Sequence, residues 1–427
     1  MATASEPTQP EGGAAEVPVC VTSEIGALEA VVCHTPGPEL LAVTPATRED
    51  FLYTDIIDLD AARSEHRVFK SILARFAEVY EVRDLLVDLC GKEEARTFLV
   101  DRAAEMIHSK PLAARLRELD ADELVSYFIE GREVHEGPLQ KMLGVQGYDL
   151  PPLPNLFFTR DAAMVVGTGA VVGSMRYTAR WTEELITKAL FTHHPALANT
   201  GLIYDGSEER RGGYTIEGGD LHVLRPDLVV MGLSQRSSPG AFDAVSERLV
   251  AEQGVRDILV VVLPTDRAMI HLDMIFTMVD HEHGIFFPPE FIGPERASIL
   301  HFTAGRTGMR EEKDFFSALE AVDMPLNPIY CGGHRRTYQE REQWSSGCNF
   351  MAVRPGLVLG YSRNEHTYRE MESEAGYRIV DAVDFLTGQE EIAEDQRAVI
   401  SFDGAELVRG GGGARCMTLP VRRAPAW

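Results

Sequence analysis

The chain has 427 residues, 44% of them apolar, enough for a substantial core and, by length alone, two or three domains. Its 66 acidic against 41 basic residues leave a formal charge of −25, which repels nucleic-acid phosphates and anionic membranes but lowers the cost of drawing a small cation into a cleft. Six cysteines, Cys20, Cys33, Cys90, Cys331, Cys348 and Cys416, show neither CxxC pairs nor Cys/His ligand spacing, so a reduced cytoplasmic protein without a metal is expected.

Residues 1–20 are rich in Ala, Glu, Pro, Thr and Gly and lack the basic start and apolar stretch of a signal peptide; a disordered tail is expected there. No window approaches the ~18 uninterrupted apolar residues of a membrane helix, so solubility is expected. Leu28 to Cys33 predicts a buried strand, ended by the turn His34-Thr35-Pro36-Gly37-Pro38. From Asp60 to Val82, Val68, Phe69, Ile72, Leu73 and Phe76 recur at spacings of three and four and predict an amphipathic helix. Residues 85–150 then read as short helices, Glu94 to His108, Pro111 to Leu119 and Asp122 to Gly131. They suggest an inserted helical subdomain between the two parts, 21–84 and 151–427, of an α/β catalytic domain.

After Pro151-Pro152-Leu153-Pro154 a strand pair recurs. Leu221 to Arg236 and Phe350 to Arg363 both describe a hairpin around an Arg-Pro turn, Arg225-Pro226 in one and Arg354-Pro355 in the other. Ala162 to Met175 and His271 to Phe287 fit the scheme more loosely, and helices fall near Trp181 to His193 and Gly240 to Glu252. Repeats of this size suggest a closed, pseudo-symmetric arrangement whose loops share a central site. A doubly wound sheet is the alternative, but no GxGxxG follows a strand and no GxxxxGK[ST] occurs.

The most unusual stretch is Arg409-Gly410-Gly411-Gly412-Gly413-Ala414-Arg415-Cys416-Met417. Glycines permit close backbone approach to a ligand, and a neighbouring cation favours a thiolate, so Cys416 is a candidate nucleophile; a buried structural cysteine is the plainer alternative. Alternation on a strand would put His271 and Asp273 on one face. Glu217 stands beside two glycines at the mouth of the Leu221 strand, and Asp161 closes Phe157-Phe158-Thr159-Arg160-Asp161. His281 and His283 lie in a polar turn without further spaced ligands and are expected in a solvated loop.

Together these stretches resemble the arginine deiminases of the guanidino-group modifying (pentein) superfamily, over Val21 to Arg423. The resemblance is carried by His34-Thr35-Pro36-Gly37, Leu153 to Asp161, Ile216-Glu217-Gly218-Gly219-Asp220, Arg236-Ser237-Ser238, His271-Leu272-Asp273, Arg341-Glu342-Gln343-Trp344 and the glycine-rich approach to Cys416-Met417. It implies a five-bladed α/β propeller with a helical insertion. It also implies Cys416 as nucleophile, His271 and Glu217 as the proton-transfer pair, and Asp161 and Asp273 as the carboxylates that hold a guanidinium. Asn155, Phe158, Arg180 and Arg236 would hold the amino-acid part, the two arginines reading the α-carboxylate. Paired carboxylates suit a planar, cationic guanidinium, and thiolate attack on its central carbon leads through a thiouronium to a ureido group. The implied reaction converts free L-arginine to L-citrulline and ammonia without metal or cofactor, by a chain that either stays single or forms a homo-oligomer. One departure is Gly411, where family members often carry an arginine, with Arg409 and Arg415 remaining nearby. Amidino transfer, deimination of a guanidine lacking a carboxylate, and a weakened arginine-binding protein are the competing functions.

Overall fold

Strand Leu28–Cys33, which carries the run Ala30 to Cys33 fully into the core, is where both ends of the chain meet. In the computed structural model, which describes residues 19–134, 137–143, 147–209 and 213–427, it pairs in parallel with Glu78–Glu81 and antiparallel with the C-terminal strand Leu419–Arg423. The tail expected at residues 1–20 falls outside the described residues as far as residue 18. Val19 is buried and Cys20 donates its backbone N–H to Val421, so ordered contacts begin two residues earlier than expected.

Four further sheets repeat this topology. Each opens with an antiparallel hairpin, crosses over through a helix and returns a strand parallel to the second hairpin strand. The hairpins are Ala163–Val166 with Gly169–Val172, Leu221–Arg225 with Leu228–Leu233, Phe276–Met278 with His283–Phe286, and Met351–Arg354 with Leu357–Tyr361. The parallel returns are Leu202–Asp205, Asp257–Val262, Asn327–Tyr330 and Ala398–Phe402. The second of these sheets gains two antiparallel strands, Ser298–Thr303 and Arg310–Glu312, and the last gains Arg378–Asp381. All four hairpins expected from the sequence are therefore present. In the first sheet the partner that should precede Leu28–Cys33 is supplied by Leu419–Arg423, from the far end of the chain.

The crossover helices include Leu59–Leu73, Trp181–His193, Pro239–Gln253 and Glu365–Ala375. The first is shorter than the helix expected over Asp60 to Val82. Asp58 caps its N-terminus by accepting from the Ala61 N–H, and it ends at Leu73. Glu78–Glu81, which a helical period also accommodates, is taken instead by the open edge of the Leu28 strand.

Helices Val82–Cys90, Glu93–Met106, Lys110–Glu118 and Ala121–Glu130 follow, the last held by a capping box between Asp120 and Glu123. Their apolar faces, through Leu86, Leu89, Leu99, Leu112, Leu124 and Phe128, pack into one cluster with Leu185, Ile186 and Leu190 of helix Trp181–His193. No helix among the described residues is long and apolar enough to cross a membrane.

Candidate active site

Each of the five sheets delivers side chains from the same topological place, just ahead of its first hairpin strand. Asp161 sits in the helical turn Thr159–Ala162 before Ala163–Val166, and Glu217 precedes the turn Gly218–Asp220 that leads into Leu221–Arg225. His271 and Asp273 flank Leu272 ahead of Phe276–Met278, Asn349 stands before Met351–Arg354, and Cys416 before Leu419–Arg423. His271 and Asp273 do not lie on a strand as expected. The 3-10 turn Leu272–Met274 brings them in, because Asp220 Oδ1 captures the Leu272 N–H at 2.9 Å and pulls the segment out of extended register.

These loops line a cavity of about 1040 Å³ whose floor includes Asn155, Phe158, Asp161, Arg180, Arg236, His271 and Cys416. Glu217 and Asp273, both fully buried, stand behind His271 and Cys416. All nine side chains expected at the site therefore converge. The glycines before Cys416 permit it: a Cβ on Gly412 would fall 2.6 Å from the Phe158 ring, so only glycine lets this loop pass so close. Gly411 also lines the cavity, at a φ of +90°. Of the two nearby arginines, Arg409 donates to Ile56 O at 3.0 Å at the cavity mouth. Arg415 turns inward, away from the cavity.

His271 Nε2 lies 2.9 Å from Glu217 Oε2, and its Nδ1 is 3.7 Å from Asp161 Oδ1. Burial alone would lower the ring's proton affinity, but Asp161 and then Glu217 push it up to about 9. Burial would raise Glu217, yet Arg236, with Nη1 3.1 Å from Oε2, and the His271 bond hold it well below the usual carboxylate range. The Cys416 thiol is driven far up, first by burial and then by Asp273 and Asp161. Its sulfur is 3.5 Å from Asp273 Oδ2.

Asp161 and Asp273 are matched. Asp161 Oδ2 accepts from Arg180 Nη1 at 2.6 Å, and Asp273 Oδ2 from Arg415 Nη1 at 2.9 Å. In each, the other oxygen, Oδ1, is buried without a hydrogen-bond partner. Arg180 spends Nε and Nη2 on Glu183, at 2.9 and 2.7 Å, so most of its fork is already engaged. Arg236 leans on the Tyr177 ring, 4.8 Å from its centroid, and keeps Nε buried and unpartnered.

Two contributors escaped the sequence reading. Asn349 donates Nδ2 to the Cys416 sulfur at 3.1 Å and accepts the Cys416 N–H on Oδ1 at 3.1 Å. The recurring hairpin could have found it, since Asn349 immediately precedes Phe350 in one repeat as Asp220 immediately precedes Leu221 in the other. Asp220, which burial raises to about 6, accepts from the Ser234 and Ser237 hydroxyls at 2.6 Å each and from Leu272 N–H, so it clamps three loops together.

Among the described residues, two groups have spacing that a cation could use: Asp161, Glu217 and His271, and Asp280, Glu282 and His283. In the first, Arg180 and Arg236 already neutralise both carboxylates. In the second, His283 is not in a solvated loop as expected. It is buried at the start of strand His283–Phe286, with Nδ1 3.0 Å from Asp280 Oδ1, because Asp280 also collects the Glu282 and His283 N–H groups and the Tyr377 hydroxyl. His281 remains exposed.

Among solved structures, the N-terminal domain of ArgZ, described as an arginine dihydrolase of the cyanobacterial ornithine-ammonia cycle and bound to product, superposes with a TM-score of 0.51. It is 14% identical, covering 93% of this chain and 98% of that one, a likeness of fold. The arginine deiminase of Streptococcus pyogenes serotype M49 (strain NZ131) is 31% identical over 96% of this chain and 99% of its own length. That of Rhodococcus opacus (strain B4) is 30% identical over 96% and 98%. The family model for arginine deiminase matches residues 49–423, and with these relatives aligned along nearly their whole lengths, the chain belongs to the arginine deiminase family.

Proposed function

We propose that this chain hydrolyses free L-arginine to L-citrulline and ammonia through a covalent adduct on Cys416. The observation that carries this function is the pair of buried oxygens that lack a hydrogen-bond donor, Asp161 Oδ1 and Asp273 Oδ1, on carboxylates that flank a buried thiol. A buried carboxylate oxygen without a donor is costly, and a guanidinium supplies N–H groups along two edges of one plane. Binding between these oxygens would present the guanidinium carbon to the Cys416 sulfur.

The same cation would cancel the carboxylate field that keeps the thiol protonated, so the thiolate forms as substrate enters and its proton passes to solvent. Attack on the guanidinium carbon forms a C–S bond and a tetrahedral adduct. His271, protonated at neutral pH by virtue of its raised affinity, gives its proton to one terminal nitrogen, which leaves as ammonia. The neutral ring then takes a proton from water as that water adds to the thiouronium carbon, and collapse of the hydroxyl adduct, its O–H proton passing to solvent, breaks the C–S bond to release citrulline and the thiolate. Glu217 holds His271 by Nε2 throughout. Arg236, with its unpartnered Nε, would read the α-carboxylate, assisted by the remaining Nη1 N–H of Arg180. Asn155 has its amide nitrogen tied to Phe51 O at 2.9 Å, which leaves its carbonyl oxygen for the α-ammonium. Phe158 would pack on the aliphatic chain.

At the scale of the fold, five sheets of one topology, each giving a residue to one cavity, support a five-bladed α/β propeller. The helices within residues 85–150 would form its insertion and 21–84 with 151–427 its body. Six free cysteines, five of them buried, suit a reducing cytoplasm.

The deciding experiment incubates purified protein with L-arginine, without added metal or nucleotide, and quantifies citrulline, ornithine and ammonia. Equimolar citrulline and ammonia, abolished by Cys416→Ala, are expected. Ornithine would indicate transfer or ureohydrolysis instead, and undiminished turnover by the variant would exclude this mechanism.

A further inference from the structure

Arg415 is among the largest fully buried side chains and spends its fork in three directions. Nε and Nη2 donate to Glu24 Oε2 and Oε1 at 3.1 and 3.0 Å, Nη2 also to Leu221 O at 2.9 Å, and Nη1 to Asp273 Oδ2 at 2.9 Å. Glu24 is fixed in turn by its own N–H on Val223 O at 2.7 Å. The result is a chain, Glu24 to Arg415 to Asp273, that joins the N-terminal segment, the unit carrying Glu217 and the loop carrying Cys416. On the other wall, Glu183 to Arg180 to Asp161 has the same order and the same bidentate Glu–Arg pairing.

Burying such a pair is a poor way to gain stability, since desolvation offsets most of the Coulomb attraction and apolar packing serves as well. What it can supply is orientation. An arginine fork fixed at three corners holds Asp273 so that Oδ2 faces the sulfur while the buried Oδ1 is left without a donor, and it leaves a permanent positive charge one residue from the thiol.

We infer that Glu24 and Arg415 are a positioning pair for the reaction at Cys416: they set the orientation of Asp273 and tune the charge felt by the sulfur, without touching substrate. This rests on the deiminase function proposed above. The charged groups facing Cys416 are Asp273, Asp161 and Arg415, with Tyr361 alongside. Those facing Arg415 are Glu24, Asp273, Arg160, Arg423 and His222, the last three also grouped around Glu24.

The test compares Arg415→Lys and Glu24→Gln with wild type by two readouts, citrulline formation at saturating arginine and the pH midpoint of Cys416 alkylation by iodoacetamide, each normalised to folded protein. Lysine keeps the charge but not the fork, so turnover should fall about 10- to 100-fold with the alkylation midpoint unmoved. Glu24→Gln removes the negative charge that offsets Arg415, so the midpoint should fall by about half a pH unit or more. If Arg415→Lys does not fold, the Glu24→Gln midpoint still decides. An unmoved midpoint in Glu24→Gln, or Arg415→Lys turnover within about twofold of wild type, would reduce the pair to a structural one. Absence of citrulline from wild type would refute the deiminase function while leaving the alkylation shift to report on the pair.

Discussion

Cys416 rests in a field that opposes its ionisation, which the Gly413 backbone N–H partly offsets, and the Asn349 amide donates to its sulfur at 3.1 Å. That bond is worth most when the sulfur is negative, so Asn349→Ala should lower kcat about 10-fold or more and leave the KM for arginine within about twofold, as steady-state kinetics would show. A rise in KM alone would place Asn349 in binding instead. His271 carries a different pH signature. Its ring is raised from 6.5 to about 9 by Asp161 and Glu217 against the effect of burial. A raised affinity in the folded state means that the stabilisation is fully present below about pH 6.5 and is lost as pH climbs through about 9. Urea unfolding of wild type should therefore lose on the order of 1 to 3 kcal/mol across that window, and His271→Asn should flatten the loss.

Loops rather than strands bring the chemistry together, and their geometry hangs on small residues and one acid. A Cβ at Gly219 would lie 2.6 Å from Cγ and Nδ1 of His271, too close for the ring to keep its place. Gly219→Ala should displace the imidazole from Glu217 and cut citrulline formation about 100-fold or more, with a much smaller change in thermal midpoint; retention of activity would mean that the ring can yield. The elements themselves were unevenly legible. Strand Leu28–Cys33 and helix Trp181–His193 match their expected limits because both are mostly buried and are bounded by turns. The Asp60 helix ends early because Glu78–Glu81 is claimed by a sheet edge that local periodicity does not reveal. His271 and Asp273 share the site through a turn held by Asp220, a residue 51 and more positions away in sequence.

At the scale of the whole molecule, segments near the two ends of the described chain pair with each other. Leu419–Arg423 pairs with Leu28–Cys33, Ala424 N–H reaches Ala27 O at 2.8 Å, and Arg423 Nη1 donates to Gly26 O at 2.6 Å. Cys416 is three residues from that strand, so the nucleophile is placed by the same pairing that joins the two ends. Truncation after Thr418 should leave the Leu28 strand unpaired on one edge and prevent native folding, read as lost far-UV and near-UV dichroism; a folded, cooperative product would show that closure is dispensable.

Motif order, through its resemblance to the arginine deiminases, pointed to a guanidinium chemistry and to Cys416, His271, Glu217, Asp161 and Asp273 as its candidate residues, because those residues stand in short runs that a sequence displays directly. The recurring hairpins likewise made a repeated α/β architecture legible, since strand alternation and Arg-Pro turns are encoded within a few residues. Tertiary structure alone decided the rest: that Asn349 caps the sulfur, that Arg180 and Arg415 each donate to Oδ2 of one aspartate, and that both Oδ1 atoms are buried without a hydrogen-bond donor. These are properties of distances between segments as much as 391 residues apart, as between Glu24 and Arg415, and they depend on which carboxylates burial strips of water, which no single segment specifies.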